Sequence, residues 1–351
     1  MTKKIVKRFI GMALAGVMLI GVFVYLVDPF YHYHKPLFGM EPYLYNTVYQ
    51  TPGVARNLEY DSVILGSSMT ENFRTGWFDD ELGWKTAKLS YSGARTDDLA
   101  AIMGQVFAEN REVKNVFRDL NDYQLAEDYT TAFAKRPEYL YDNNIFNDVQ
   151  YLLNKDVILA SCGRVIAGIQ GVPGNMDSAY CWEEPELFGV DKVRIEYDSV
   201  SAQNAAADLS TQEDIEKSID NCIKNMDNIR PFIEAHPETK FYFFYPPYSM
   251  AYWQTLQESG RLEKMIRLYA TSMEELMQYE NVSVYYFQDE TDFITDLDNY
   301  RDLCHYTPEM NRYIFECVKE DSHRIDESNY QEKLDAMYQL ADGYDYESLW
   351  N

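Results

Sequence analysis

Short apolar runs alternate with longer amphipathic stretches along most of the chain. Five runs rich in β-branched and aromatic residues predict strands at Val63–Leu65, Ala87–Ser90, Asn115–Leu120, Lys240–Tyr245 and Val282–Phe287. Apolar positions at helical spacing predict helices over Thr96–Ala108, Gln212–Ala235 and Trp253–Tyr279, the last broken at Gly260. Because strands alternate with helices, the pattern predicts an α/β fold with a mostly parallel five-stranded sheet covered on both faces.

The amino terminus has a different pattern. Four basic residues, Lys3, Lys4, Lys7 and Arg8, precede Phe9–Val27, a run of 19 residues without a charge. As a helix this run spans roughly 28 Å, about the thickness of the hydrocarbon core of a bilayer. It predicts an uncleaved signal anchor, with residues 1–8 in the cytoplasm and the domain after Val27 outside the cell. A cleaved signal peptide is the competing interpretation, but Ala13-Leu-Ala15 lies too early in the run to be its cleavage site.

Residues 28–60 are predicted to be a juxtamembrane linker. The rings of Tyr25, Phe30, Tyr31 and Tyr33 are typical of an aromatic belt at the membrane surface. His32 and His34 have the spacing of a metal-binding pair, but two ligands without a nearby third make a poor site. We therefore predict no metal here.

The composition limits the classes of partner. The formal net charge is −26, and the positive first 27 residues leave the rest of the chain near −30. This charge excludes nucleic acid as a partner, because nucleic-acid binding requires basic contacts, and it disfavours electrostatic docking on anionic lipid. The five cysteines are odd in number and contain no C-x-x-C motif, so we predict neither a disulfide framework nor a zinc site. They are Cys162, Cys181, Cys222, Cys304 and Cys317.

Two short motifs carry candidate chemistry. Gly66-Ser67-Ser68 follows the first predicted strand, so its hydroxyls lie at the carboxyl edge of the sheet, where open α/β folds build their sites. Far downstream, Asp302 and His305 are three residues apart, just before a helix predicted to begin at Thr307-Pro308. A serine nucleophile needs a base, and the base needs an acid that orients it. The alternative is that Ser67-Ser68 forms only a turn with a helix cap.

In this order the motifs resemble those of the SGNH (GDSL-like) hydrolase superfamily, from about Asp61 to Val318. Gly66-Ser67-Ser68 stands for the first block and Asp302-Leu-Cys-His305 for the last. Ser90-Tyr-Ser-Gly93 and Asp119-Leu-Asn121-Asp122 stand for the two blocks between them. Two positions depart from the family, because Ser67 replaces an aspartate and Asp119 replaces a glycine. The Gly-Ser-Ser version is similar to envelope proteins of the DltD type, which take part in teichoic acid D-alanylation.

The resemblance implies a flavodoxin-like three-layer fold and a Ser68–His305–Asp302 triad, with Gly93 and Asn121 in the oxyanion hole. It implies acyl-ester hydrolysis or O-acyl transfer on a cell-wall or surface polysaccharide, without a metal or organic cofactor. A second hypothesis is a DltD-like accessory protein that relays acyl groups for a membrane acyltransferase. A third is a non-catalytic glycan-binding scaffold.

Three further regions complete the predicted organisation. The SGNH-like domain covers residues 61–320 and contains an insertion at about 124–210, which breaks the strand–helix rhythm and either covers the site or is a plain structural excursion. The rings of Tyr248 and Trp253, which follow the strand ending at Tyr245, either stack on substrate or pack in the core. Residues 321–351 form an acidic tail with a short helix at Tyr330–Leu340.

Overall fold

The protein has a mixed α/β fold built on a six-stranded sheet. The computed structural model describes residues 2–108, 112–133, 136–142, 144–177, 182–205 and 211–350, so Cys181 lies outside the described residues. The strands are β1 (Ser62–Gly66), β2 (Thr86–Ser90), β3 (Asn115–Asp119), β4 (Lys240–Tyr245), β5 (Val282–Tyr286) and β6 (Arg324–Ile325). They lie in the order β2-β1-β3-β4-β5-β6, and only β6 runs antiparallel to its neighbour.

The five predicted strands all form, but the sheet has a sixth. The first three strands are buried at every position, as expected for apolar runs that have both faces covered. The prediction of a five-stranded sheet is wrong, because β6 adds a sixth strand. This strand was missed because its two residues, Arg324 and Ile325, are too few to give a sequence pattern. The sheet therefore extends beyond residue 320, where we predicted the domain to end.

Helices account for most of the remaining described chain. Two predicted helices are each divided: Asn228 and Ile229 interrupt one, and Gly260, with φ +63°, interrupts the other as expected. The helices are α1 (Thr2–Val27), α2 (Thr47–Asn57), α3 (Ser68–Glu71), α4 (Thr75–Leu82), α5 (Thr96–Val106), α6 (Asp122–Ala126), α7 (Val149–Leu152), α8 (Lys155–Ile169), α9 (Val190–Ala205), α10 (Gln212–Asp227), α11 (Arg230–Ala235), α12 (Met250–Glu258), α13 (Leu262–Leu276), α14 (Thr291–Ile294), α15 (Pro308–Lys319), α16 (Tyr330–Gly343) and α17 (Tyr346–Leu349).

The first helix is long and apolar enough to cross a membrane, by length and composition. Immediately after it, the carboxylate of Asp28 accepts hydrogen bonds from the backbone N–H groups of His32, Tyr33 and His34 and from the hydroxyl of Tyr151. Helix α1 also packs against α7 and α8 of the insertion. The end of the apolar helix is thus joined to the folded domain by polar and apolar contacts.

Residues 28–60, the predicted juxtamembrane linker, are folded against the domain. They contain α2, which packs against β2 and α5 and buries most of its central residues. The helix contains Pro52 and Gly53, two residues that discourage a helix prediction. Gly53 is required by close packing, because a Cβ there would lie 2.1 Å from the carbonyl oxygen of Phe30.

The carboxyl-terminal segment also packs on the domain. Helix α16 contains the predicted Tyr330–Leu340 helix and extends it to Gly343. It contacts α12 and α13 and buries Leu334, Met337 and Ala341. The acidic residues of this segment therefore cover one side of a helix whose other side belongs to the core.

Candidate active site

The first motif forms a tight turn between β1 and α3. Ser67 is the N-cap of α3, and its hydroxyl accepts a hydrogen bond from the N–H of Met69 at 3.3 Å. Gly66 has no room for a side chain, because a Cβ would lie 2.2 Å from Asp119 Oδ1 and 2.6 Å from Thr70 Oγ1. Ser68 is the first residue of α3 and is partly exposed, while Ser67 is fully buried.

The second motif forms a loop held by its own carboxylate. Asp302 Oδ1 accepts hydrogen bonds from the N–H groups of Cys304 at 2.9 Å and His305 at 2.7 Å. The backbone and hydroxyl of Ser249 both donate to the carbonyl of Leu303. Helix α15 follows directly. Thr307 occupies its N-cap position, as predicted, but makes no side-chain cap hydrogen bond.

These two motifs meet at the carboxyl edge of the sheet. His305 Nε2 lies 2.8 Å from Ser68 Oγ, although the two residues are 237 positions apart. His305 Nδ1 lies 2.7 Å from Asp302 Oδ2. The side chains of His305 and Asp302 are 28% and 23% exposed, so the pair is open to solvent at one side. The distances satisfy the geometry of a nucleophile, a base and an orienting acid.

The carboxylate of Asp302 is stabilised in its charged form. Burial acts to raise its pKa, but the hydrogen bond and charge of His305 and the two backbone N–H groups outweigh burial, so the pKa is lowered. An ionised Asp302 accepts a hydrogen bond from Nδ1–H of the imidazole. That tautomer leaves the lone pair of Nε2 directed at Ser68.

The two residues predicted for the oxyanion hole differ in their surroundings. Gly93 is in a turn with φ +78°, and its N–H, like that of Ser68, donates to no other described residue. Asn121 is fully buried, and its amide nitrogen lies 2.6 Å from Ser67 Oγ and 2.7 Å from Asp119 Oδ2. The Asn121 amide is therefore already engaged beside Ser67.

Asp119, a departure from the family pattern, is the centre of a buried polar network. Ser67 donates to it from both its N–H and its hydroxyl, the latter at 2.5 Å. Burial raises the pKa of Asp119, although these hydrogen bonds and the nearby charge of Arg118 act to lower it. The hydroxyl of Tyr248 completes the network by donating to Asn121 Oδ1 at 2.9 Å.

The sequence analysis did not identify Glu71 and Trp182, which also support the site. Glu71 accepts hydrogen bonds from the N–H of Ser92 at 2.7 Å and from its hydroxyl at 2.8 Å, and so holds the loop that precedes Gly93. Trp182 of the insertion lies edge-on to His305, with ring centroids 5.0 Å apart. Glu71 is three residues after Ser68 in the sequence, but its contact with Ser92 is visible only in the fold.

Trp182 forms part of the wall of the site. The guanidinium of Arg301 stacks 5.0 Å from its ring, and Asn72, close to Ser68 in sequence, donates to its carbonyl at 3.1 Å. The indole N–H of Trp182 is buried and makes no hydrogen bond to a described residue. The described part of the insertion therefore contributes directly to the surroundings of His305.

Tyr248 and Trp253 pack in the core, so the alternative of stacking on substrate is wrong. Tyr248 is 2% exposed, Trp253 is fully buried, and the indole N–H of Trp253 donates to Gln288 at 3.0 Å.

Cys304 lies on the loop between Asp302 and His305 and lines a cavity of about 350 Å³. Burial raises the pKa of the Cys304 thiol well above its usual value, and nearby carboxylates add to the effect. A neutral thiol there is a poor nucleophile.

The two amino-terminal histidines have separate surroundings. His32 Nε2 lies 3.4 Å from Asp148, and His34 contacts the carbonyls of Tyr25 and Lys35. Burial lowers the pKa of His32, although Asp148 acts in the opposite direction. The His34 imidazole thus links two backbone segments near the end of α1, whereas the His32 imidazole contacts a carboxylate of the insertion.

Comparisons with known proteins give little further information. No family model and no curated protein matches the chain. Among solved structures, the chain is similar to one described as "a putative platelet activating factor from Streptococcus pneumonia". The TM-score is 0.41 and the identity 10%, over 78% of this chain and 90% of that chain. We draw no argument about fold or chemistry from a likeness at this level.

Proposed function

We propose that the protein is a serine acyl-ester hydrolase or O-acyltransferase of SGNH type that acts on a cell-envelope or surface glycan. The observation that carries the proposal is the hydrogen-bonded series Ser68–His305–Asp302, with distances of 2.8 and 2.7 Å. The strand order β2-β1-β3-β4-β5 also supports it, because this is the order of flavodoxin-like sheets, which bind ligands at the carboxyl ends of their strands.

In this proposal Ser68 Oγ attacks the acyl carbon of the ester. His305 Nε2 accepts the hydroxyl proton as the new C–O bond forms, and Asp302 stabilises the imidazolium. Collapse of the tetrahedral intermediate breaks the bond to the alcohol, which takes the proton from His305, and the acyl group remains on Ser68. Water then releases the acid in hydrolysis, or an acceptor hydroxyl takes the acyl group in transfer.

The negative oxygen of the tetrahedral intermediate needs hydrogen-bond donors. The N–H groups of Ser68 and Gly93 are suited to this role because they donate to no other described residue. Each such donor contributes roughly 3 kcal/mol to stabilisation of the transition state. For Asn121 to act as a third donor, its amide has to give up a hydrogen bond to Ser67 or Asp119.

The proposed location is the outer face of a cell membrane. Helix α1 would cross the bilayer with its basic end in the cytoplasm, which puts the sheet domain outside. Trp182 and Arg301 give the site an aromatic and cationic wall at which a sugar ring or an acyl chain could be selected.

A second candidate function is a DltD-like relay, in which Ser68 holds an acyl group for a membrane acyltransferase. The engagement of the Asn121 amide weakens oxyanion stabilisation in both acylation and deacylation, and slow deacylation is what a relay requires. A relay would be acylated on Ser68 but would hydrolyse simple esters slowly.

Labelling with a fluorophosphonate tests whether Ser68 is a nucleophile. We expect the full chain to be labelled on Ser68, Ser68→Ala to lose labelling, and Ser67→Ala to keep it. An adduct on Ser67 or Cys304 would contradict the assignment, and no adduct would favour the non-catalytic scaffold. Turnover of a panel of simple acetyl esters then separates hydrolysis from relay.

A further inference from the structure

Helix α8 exposes large apolar side chains on its outer side, although its inner side also buries Val157. It buries Ser161 completely and leaves Arg164 only 8% exposed. On its outer side Leu159, Ile166 and Ile169 are 58%, 55% and 81% exposed. A water-facing helix normally buries its leucines and isoleucines and exposes its arginines. The outer side of α8 is therefore suited to an apolar environment.

The segment before α8 also exposes large apolar side chains. Ile145, Phe146 and Val149 are 74%, 88% and 54% exposed. We use the name insertion face for Ile145, Phe146, Val149, Leu159, Ile166 and Ile169. Soluble proteins rarely expose so many large apolar side chains together, and such surfaces mark contacts with proteins or membranes.

The insertion face is continuous with the candidate membrane-spanning helix. Ile145, Phe146 and Val149 line one groove together with residues of α1 that run from Val17 to Tyr25. Met18, the middle residue of the uncharged run, is among them. These positions lie up to about 15 Å from Val27 along the helix, which is half the thickness of the hydrocarbon core.

Two charged side chains of the same region are directed into the domain, whereas Asn144 and Gln150 are exposed beside the apolar residues. Asp148 contacts His32 and is 14% exposed, and Arg164 donates to the carbonyl of Glu41. The exposed charges of α8, Lys155 and Asp156, are both in its first turn. The remaining outer side of the helix consists of apolar and small residues, including Cys162 and Gly163.

We infer that the insertion face is embedded in the lipid bilayer beside α1. The occupant is the acyl-chain layer of the leaflet from which α1 emerges, because three residues of the face share a groove with α1, and α8 packs against α1. Its composition requires no anionic headgroup, in agreement with the acidic charge of the chain. The protein would thus enter the leaflet with two elements, a spanning helix and a shallow helical insertion.

Photocrosslinking of the full chain in the membranes of cells that produce it tests this inference. We would place p-benzoylphenylalanine at position 146, replacing Phe146, and identify the adducts by mass spectrometry. Position 223 is the matched control, because Ile223 is also an exposed apolar residue, 38% exposed, but lies on α10. Position 19, replacing Leu19 on the outer side of α1, tests the anchor separately.

We expect lipid adducts at positions 146 and 19, with at least about ten times more lipid adduct at 146 than at 223. Adducts with another protein or a second copy at 146 would overturn the inference, because a protein would then cover the face. Lipid adducts at 19 without any at 146 would also overturn it, while leaving the anchor in place. All three positions are exposed, so misfolding is not expected to affect the result.

Discussion

Ser67 and Ser68 are neighbours of the same residue type, yet the fold gives them opposite surroundings. Ser67 is buried, and its hydroxyl donates a hydrogen bond to Asp119 and accepts one from the Met69 N–H at the start of α3. Ser68 is partly exposed and faces His305. The difference follows from the turn after Gly66, which directs one side chain into the sheet edge and the other toward the α15 side of the site.

His305→Ala and Asp302→Asn test the proposed chemistry at single residues. We expect His305→Ala to slow acylation of Ser68 by at least about 10³-fold, and Asp302→Asn by up to about 10⁴-fold, because the amide stabilises the wrong imidazole tautomer. Neither side chain is in the hydrophobic core, so the melting temperature of His305→Ala should change little. Single-turnover labelling measures the rates, and equal labelling of wild type and His305→Ala would contradict the triad.

The lowered pKa of Asp302 predicts a pH dependence of stability. A carboxyl group with a folded-state pKa below its usual 3.8 stabilises the fold in its charged form. This contribution is complete above about pH 5 and is lost as the pH falls through the folded-state pKa. The difference in unfolding free energy between wild type and Asp302→Asn should therefore be constant near neutral pH and shrink in acid. A difference that grew in acid would show that the pKa is raised.

At the residue scale the sequence indicated the three groups of the proposed triad but not their neighbours. Ser68, Asp302 and His305 stand in short motifs whose order along the chain carries information. Trp182 stands in no motif, and its contact with His305 depends on how the insertion folds back. Asn121 was identified by its block, but its engagement with Asp119 follows from replacement of a glycine by a carboxylate.

Among the elements, the connection between α3 and the loop after β2 depends on Glu71. Glu71→Ala should release Ser92 and let the Gly93 N–H move, and we expect acylation to slow by about 10- to 1,000-fold. The matched variant Ser92→Ala removes only the hydroxyl bond and should have a smaller effect. Labelling rates and melting curves for both variants measure this. Unchanged labelling by Glu71→Ala would contradict a positioning role for Glu71.

Elements were predictable where burial gives a regular pattern. The apolar runs of β1, β3 and β4 mark strands, and the spacing of α10 and α13 marks helices. Two elements lacked such a signal: β6 is too short, and α2 contains Pro52 and Gly53. The packing of α2 depends on contacts with β2 and α5, which are distant in sequence.

For the whole molecule, we predict that the chain is an integral membrane protein with its carboxyl terminus outside. Protease added to intact cells should digest the sheet domain and leave a small protected fragment that contains α1. The reason is the long apolar helix behind four basic residues. Release of the whole chain from membranes by high salt would contradict the prediction, as would full protection of the domain in intact cells.

The folded segment between α1 and the sheet has a consequence for substrate choice. A flexible linker over residues 28–60 would let the domain range over roughly 30 Å from its anchor. The Asp28 contacts and the packing of α2 remove that freedom, so in the proposed orientation Ser68 would lie at one fixed distance from the membrane surface. The distance of an acyl ester from the membrane surface would then select substrates before the chemistry of the site does. A polymer that carries its acyl groups nearer to or farther from the lipid would not reach Ser68.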